Sequence, residues 1–179
     1  CDNYGYRTIS RLPYPFYYEE EYWGVIDNNG NIMISPEYSR ISNIGDSGYY
    51  IASDAETGMY GIIDEDYEWV CEPEYSWITK MWEASGASTE NEAKVDGEYA
   101  LIAKYDFQEG HGAKIINEYG DTIVPMDYYD IEWVVGNNRI IVENDEGYYG
   151  AIDMHGEVQI PCQYDEIGSF SYGDETYAI

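Results

Sequence analysis

Few residues in this chain have both the type and the spacing that catalysis needs. In the run Gly45-Asp46-Ser47-Gly48 a serine lies among small residues, as the nucleophile of a serine hydrolase does. Such a serine needs a histidine base and a carboxylate that orients the base. The chain has two histidines, His111 and His155, and both fall in predicted turns. Because Gly, Asp and Ser are ordinary turn residues, the sequence favours a turn over a hydrolase site.

Carboxylates are abundant, but no pair or cluster among them is singled out. Glycoside hydrolysis needs two carboxylates that face one cleft at a set separation, and calcium needs several oxygen ligands on one loop. Acidic runs such as Glu19-Glu20-Glu21 and Asp27-Asn28-Asn29-Gly30-Asn31 are more typical of solvated turns. We therefore predict that the protein is not an enzyme, has no catalytic residue, holds no metal and uses no cofactor.

Three tryptophans are the candidate binding residues. Trp77, Trp82 and Trp133 lie outside the positions that recur along the chain. Exposed aromatic side chains are frequent hot spots of protein interfaces, and they can also form stacking platforms for sugars. We predict that these three form an aromatic patch near the middle of the chain. The alternative is that they pack into small satellite cores.

The elements that would position these residues come from a repeat of about 37 residues. Four copies share an aliphatic-Asp/Asn run, a turn residue three positions later, a Tyr eight further on and an Ile three beyond it. The Asp/Asn residues are Asp27, Asp64, Asn117 and Asp153; the turn residues are Gly30, Tyr67, Gly120 and Gly156; the Tyr residues are Tyr38, Tyr75, Tyr128 and Tyr164; the Ile residues are Ile41, Ile78, Ile131 and Ile167. Repeats of this length indicate a modular array, which is usually a binding surface.

Each copy reads as three short antiparallel strands. An aromatic or β-branched strand is followed by an acidic turn, then by the strand that ends at the Asp, then by a strand with period-2 alternation. The Asp is predicted to bond its own backbone two residues on, and glycine supplies the positive φ of that turn. Proline is predicted to end the third strand, because it has no N–H to donate.

The fold predicted from these copies is all-β: four tandem three-stranded units stacked as a curved open array. A small propeller-like closure is the alternative. Residues 1–15 are predicted as an N-terminal tether and 16–179 as the β domain. The units span about 16–48, 49–98, 99–138 and 139–170, with an inserted surface loop at 82–97 and a partial strand at 177–179.

The unit resembles the WG repeat, a bacterial β-rich repeat named for its Trp-Gly pair. That pair is Trp23-Gly24 here, and Tyr60-Gly61 and Tyr149-Gly150 keep the pattern with Tyr in place of Trp. The third copy departs from it with Ala113-Lys114. The resemblance covers about residues 17–170. It implies a binding or scaffolding module, often on envelope or secreted proteins, and it supplies no catalytic residue.

Composition limits the partners. The chain has 179 residues with 8 basic and 36 acidic side chains, a net charge of −28. Such a surface repels nucleic-acid phosphates, so we predict that the protein does not bind nucleic acid. Its 22 tyrosines and 5 tryptophans argue against disorder.

The residue at position 1 is Cys1, and no Met precedes it. This start resembles a mature bacterial lipoprotein, which implies lipid attachment at Cys1 and a location at the outer membrane or cell surface. Contact with the membrane is then expected only through that lipid. The alternative is an arbitrary fragment start, and the intact mass of the native protein decides between them.

The repeats, the acidic surface and Cys1 together predict a non-enzymatic interaction module of the bacterial cell envelope. It would be a lipid-anchored accessory subunit that docks on a larger envelope protein complex. One alternative is a glycan-binding surface lipoprotein that captures polysaccharide through exposed Trp and Tyr. Another is a spacer without a ligand.

Overall fold

The computed structural model describes residues 14–18, 22–81, 94–105, 112–124, 128–134 and 139–167, and for 14–18 and 132–134 it describes the backbone alone. In these residues every extended regular element is a β-strand. The strands are β1 (Tyr14–Tyr18), β2 (Tyr22–Ile26), β3 (Ile32–Asn43), β4 (Tyr50–Asp54), β5 (Tyr60–Ile63), β6 (Trp69–Tyr75), β7 (Trp77–Lys80), β8 (Lys94–Val95), β9 (Glu98–Tyr99), β10 (Leu101–Lys104), β11 (Ala113–Ile116), β12 (Asp130–Val134), β13 (Arg139–Glu143), β14 (Tyr149–Asp153) and β15 (Val158–Tyr164). The all-β prediction is confirmed.

The strands of the described residues form antiparallel sheets, none of which closes into a barrel. β1 to β6 make a six-stranded sheet in chain order, β12 to β15 make a four-stranded sheet, and β11-β10-β7 make a three-stranded one. Strands β8 and β9 form a separate hairpin. This is the open array of repeats that the sequence predicts. The strand β1 begins at Tyr14, within the stretch predicted as a tether.

The prediction that proline ends the third strand is wrong. Strands β3, β6 and β15 run through Pro36, Pro73 and Pro161. In β2 and β3, Trp23 faces Tyr38 and Val25 faces Ile34, so the ladder shifts register across the proline. The other two pairs, β5 with β6 and β14 with β15, shift at the same repeat positions. A bulge leaves residues out of the ladder, which lets a residue without an N–H sit inside the strand.

The bulge explains the glycine of the repeated aromatic-Gly pair. A Cβ built on Gly61 would lie 2.4 Å from the carbonyl oxygen of Cys71, and one on Gly150 would lie 2.6 Å from that of Ile160. The third copy has Lys114 at this position, and in its described residues the third strand pairs through isolated bridges between Ala113 and Tyr128 and between Ile116 and Thr122. The close backbone approach seen at Gly61 and Gly150 requires a residue without a Cβ, which this copy does not have at the equivalent position.

The predicted turns are confirmed in all four copies. A side-chain oxygen of Asp27 accepts the N–H groups of Asn29 and Asn31, each at 2.8 Å. The equivalent bonds are made by Asp64, Asn117 and Asp153. The turn residues have positive φ, and Tyr67 adopts φ 69° where the other copies have glycine.

We expect Asp153→Ala to lower the free energy of unfolding by about 1 kcal/mol, because two backbone N–H groups lose their acceptor. Both bonds to Asp153 are 2.9 Å long. Urea denaturation measures the difference. The variant Asp145→Ala, on the neighbouring exposed turn, is the control, since no hydrogen bond to that carboxylate is seen in the described residues. Equal losses for the two variants would contradict the capping role.

The sheets bury two hydrophobic cores. The smaller core lies against one face of β2–β5 and contains Val25, Ile34, Tyr38, Ile41, Tyr50, Ala52 and Ile63. The larger core runs from Ile44 and Ile51 through the three-stranded sheet to Ile152 and Met154. Strands β4 and β5 lie between the two cores, so nearly every one of their side chains is buried. Burial on both faces makes this sheet a rigid base for whatever lies at its edge.

Three predicted segments fall partly or wholly outside the described residues. The inserted loop at 82–97 ends in the β8–β9 hairpin, and its residues 82–93 are not described. Residues 1–13, with Cys1, and the strand predicted at 177–179 also lie outside them. Over the described ranges, no helix has the length and apolarity that crossing a membrane requires.

Candidate functional site

A groove lies where the six-stranded sheet meets β7. Its volume is about 200 Å³, and it is lined by Arg40, Ser42, Ile51, Tyr60, Trp77, Ile78 and Thr79. Two cross-strand rows make its floor. Arg40 of β3 faces Ser53 of β4, which faces Tyr60 of β5. Ser42 faces Ile51 in the next row along the same face. The rigid sheet therefore fixes the spacing of the side chains that line the groove.

Strand β7 supplies the wall of the groove. Ile78 is buried in the larger core and anchors the strand. Its neighbour Trp77 points outward and is 42% exposed. The Trp77 ring packs on Tyr60, with ring centroids 5.1 Å apart and a tilt of 56°. Trp77 is thus held by an aromatic contact on one side while its ring stays accessible, as an interaction platform requires.

Arg40 is the charged group of the groove. Its guanidinium carbon lies 5.4 Å from the centre of the Trp77 ring, which is a cation–π contact. No carboxylate of the described residues forms an ion pair with it. The hydroxyls of Ser42 and Thr79 also line the groove, and neither bonds to another of the described residues. The groove therefore combines an aromatic platform with donors that are available to a ligand.

Arg40 was not predicted from the sequence, although a signal for it exists. Arg40 lies two residues after Tyr38, and Trp77 lies two residues after Tyr75, so the two occupy the same position of successive repeats. The third copy has Asp130 at this position, and that carboxylate accepts a 2.5 Å hydrogen bond from Lys104. Comparing the residues at this position across the repeats, in addition to comparing the aromatic residues, would have identified Arg40 together with Trp77.

The structure places one of the three predicted tryptophans in the groove. Trp133 lies on β12, where it pairs with Ile140 of the four-stranded sheet, and its side chain is not described. Trp82 lies outside the described residues, as does the predicted lipid-bearing Cys1. The three-tryptophan patch therefore stays a prediction, and Trp77 is the part of it that has a described environment.

A second polar cluster stabilises the β8–β9 hairpin. The Tyr99 hydroxyl donates a short hydrogen bond to the Asp46 carboxylate, and this bond holds the pKa of Asp46 below its usual value. The ammonium of Lys94 lies 4.0 Å from the centre of the Tyr99 ring and 3.8 Å from Asp46. Buried Glu118 accepts the Tyr99 N–H at 2.6 Å. These groups satisfy one another, so we assign the cluster a structural role.

Both described cysteines are free thiols that lie within strands, Cys71 in β6 and Cys162 in β15. Cys71 and Cys162 are half-buried, and burial raises the pKa of each thiol. Cys71 lies against Gly120 of the next unit, where a Cβ would come within 2.7 Å of the cysteine Cβ. A raised pKa disfavours the reactive thiolate, which fits a packing role between repeats.

Two segments of the chain match the family model described as the WG containing repeat: residues 23–54 and residues 149–179. The first covers the strands from β2 to β4, and the second begins at β14. The matches support the resemblance seen in the sequence. The two matched segments begin at Trp23 and at Tyr149, the aromatic residues of the first and fourth aromatic-Gly pairs. No curated protein and no solved structure gives a significant match to the chain.

Proposed function

We propose that the protein is a non-enzymatic WG-repeat interaction module that binds a partner protein through the Trp77 groove. The observation that carries the proposal is the composition of this groove. Trp, Tyr and Arg are the residue types most enriched at interface hot spots, and Trp77, Tyr60 and Arg40 are in contact here. The repeats supply the scaffold that positions the groove.

The setting of the proposed module is the bacterial cell envelope, with the protein acting as an accessory subunit of a larger complex. Support for this part comes from the resemblance to the WG repeat and from the acidic surface. A net charge of −28 keeps a repeat protein soluble and steers basic partners toward it. The lipid on Cys1 stays a prediction that intact mass tests.

The test is capture of a partner from native envelope extract by the full chain and by Trp77→Ala. We expect the variant to weaken the captured complex by at least about thirtyfold, which corresponds to a hot-spot loss of about 2 kcal/mol. Tyr148→Ala is the matched control, because Tyr148 is an aromatic that is 38% exposed on the turn before β14. Equal capture by the two variants would end the assignment of the groove.

Glycan capture is the second candidate, and one observation favours it. The Trp77 ring is accessible beside the hydroxyls of Ser42 and Thr79 in a groove about the size of one sugar ring. Aromatic rings stack on sugars while hydroxyls bond to them. Binding of the full chain to a panel of neutral polysaccharides, lost in Trp77→Ala and kept in Tyr148→Ala, would place this function first.

A further inference from the structure

We propose that the groove recognises a side-chain carboxylate of the partner protein and that the Arg40 guanidinium binds this carboxylate. This inference rests on the proposed function and adds the chemistry of the partner. The occupant is a Glu or Asp side chain that enters the groove from a partner surface whose surroundings are basic.

Among the described residues, no carboxylate lies within ion-pairing distance of Arg40, in contrast to Lys94 and Lys104. Lys94 lies 3.8 Å from Asp46, and Lys104 lies 2.5 Å from Asp130. The chain offers 36 acidic side chains for 8 basic ones, so a carboxylate partner within the chain would be easy to supply. Among the described residues Arg40 has instead the Trp77 ring as its contact. Its position leaves an ion-pairing group accessible in the groove.

The contact between Arg40 and Trp77 leaves the guanidinium N–H groups for a ligand, because the ring centre lies 5.4 Å from the guanidinium carbon and no carboxylate of the described residues pairs with it. A guanidinium can donate two parallel hydrogen bonds to a carboxylate while it remains beside an aromatic ring. Ser42 faces Ile51 one row further along the sheet, and the Ser42 hydroxyl can donate a further bond. The buried side chains of Ile51 and Ile78 then meet the methylene groups of a Glu side chain.

The charge of the whole chain decides what surrounds that carboxylate. At a net charge of −28, an acidic partner surface is repelled over the length of the Debye screening distance. A basic surface is attracted, and it forms an encounter complex at a high rate. A partner surface that is basic overall is therefore attracted by the net charge of the chain, and a single carboxylate on that surface can pair with Arg40.

Two matched peptides test the proposal on the full chain. Each is Lys-rich and differs from the other only in a central Glu or Gln. Binding is measured at about 0.15 M salt from the shifts of the tryptophan indole N–H resonances. Because a charge-assisted bidentate contact is stronger than a neutral one, we expect the Glu peptide to bind about tenfold more tightly.

Two arginine variants decide whether Arg40 is responsible. We expect Arg40→Gln to remove the tenfold preference and Arg139→Gln to keep it. Arg139 lies on β13 of a different sheet, so its loss makes the same change in net charge away from the groove. Arg40 is exposed, and its substitution leaves the core intact.

Equal affinity for the two peptides, or a preference that survives Arg40→Gln, overturns the carboxylate assignment. Displacement of the Glu peptide by a galacturonate oligomer at lower concentration overturns the assignment of the carboxylate to a protein partner. Partner capture that depends on Trp77 but not on Arg40 overturns the role of Arg40, while the interaction function itself stands. If Trp77→Ala leaves capture unchanged, the proposed function of the groove is wrong, and the carboxylate assignment that rests on it is wrong as well.

Discussion

Replacing Gly61 with alanine is expected to lower the free energy of unfolding by about 3 kcal/mol or more. The added Cβ would stand 2.4 Å from the carbonyl oxygen of Cys71 and 2.9 Å from the carbonyl carbon of Glu72. Backbone atoms of a bulged strand cannot move aside as a flexible side chain can. The β5–β6 ladder must therefore separate, and the two hydrophobic cores on either side of β5 lose contacts with it.

Gly58→Ala is the control for this prediction. Gly58 has φ +74°, and a Cβ there meets no atom within 4 Å. Its cost is the strain of a left-handed residue alone, about 1 kcal/mol. Denaturant unfolding of the two variants and the parent gives the difference directly. A loss at Gly61 no greater than that at Gly58 would show that the bulge tolerates a side chain.

Stability is expected to fall steeply between pH 10 and 12, and Tyr50 is a main contributor. Burial raises the pKa of the Tyr50 hydroxyl to about 12, with Tyr67 and Glu65 adding to the shift. An unfolded tyrosine has a pKa near 10. The contribution of neutral Tyr50 is thus complete below about pH 10 and is lost as pH rises through the folded value. Two pKa units correspond to about 2.7 kcal/mol.

Tyr50→Phe isolates this effect. At pH 8 we expect the variant and the parent to differ by less than about 1.5 kcal/mol, because a single hydroxyl is removed. From pH 10 to 12 the variant should lose about 1.4 kcal/mol less per pH unit than the parent. Unfolding by urea at fixed pH values measures both slopes. Parallel slopes for the two proteins would mean that Tyr50 ionises freely in the folded state.

Much of the fold was predictable because the repeat copies carry the same local signals. The side chains of Asp27, Asp64, Asn117 and Asp153 form the same turn. The equivalent isoleucines of the first three copies, Ile41, Ile78 and Ile131, are buried, and Ile167 of the fourth is half-buried. Local hydrogen bonding and period-2 burial act over a few residues, so a sequence reveals them. The passage of β3 through Pro36 was not predictable in this way, since a bulge depends on how the partner strand approaches.

The groove depends on contacts between strands that are distant in the sequence. For this reason the sequence predicted Trp77 as a binding residue but did not predict Arg40. Trp77 stood out as an aromatic outside the repeated positions. Arg40 is 37 residues earlier and lies beside Trp77 only because β7 crosses β5 with the Trp77 ring packed on Tyr60. Neither propensity nor spacing encodes that crossing. The repeat alignment does encode that both residues occupy one structural position.

That shared position is variable between the repeats, although the residues around it are constant. The site two residues after the repeated tyrosine carries Arg40, Trp77, Asp130 and Glu166 in the four copies, while the tyrosines and isoleucines around it stay constant. The same repeat position therefore carries a cation, an aromatic ring and two anions in the four copies. Under the proposed function, exchanges at these positions change the chemistry of the surface one copy at a time while the buried tyrosines and isoleucines of the first three copies keep their places. Another pair at positions 40 and 77 would then present a different surface on the same scaffold.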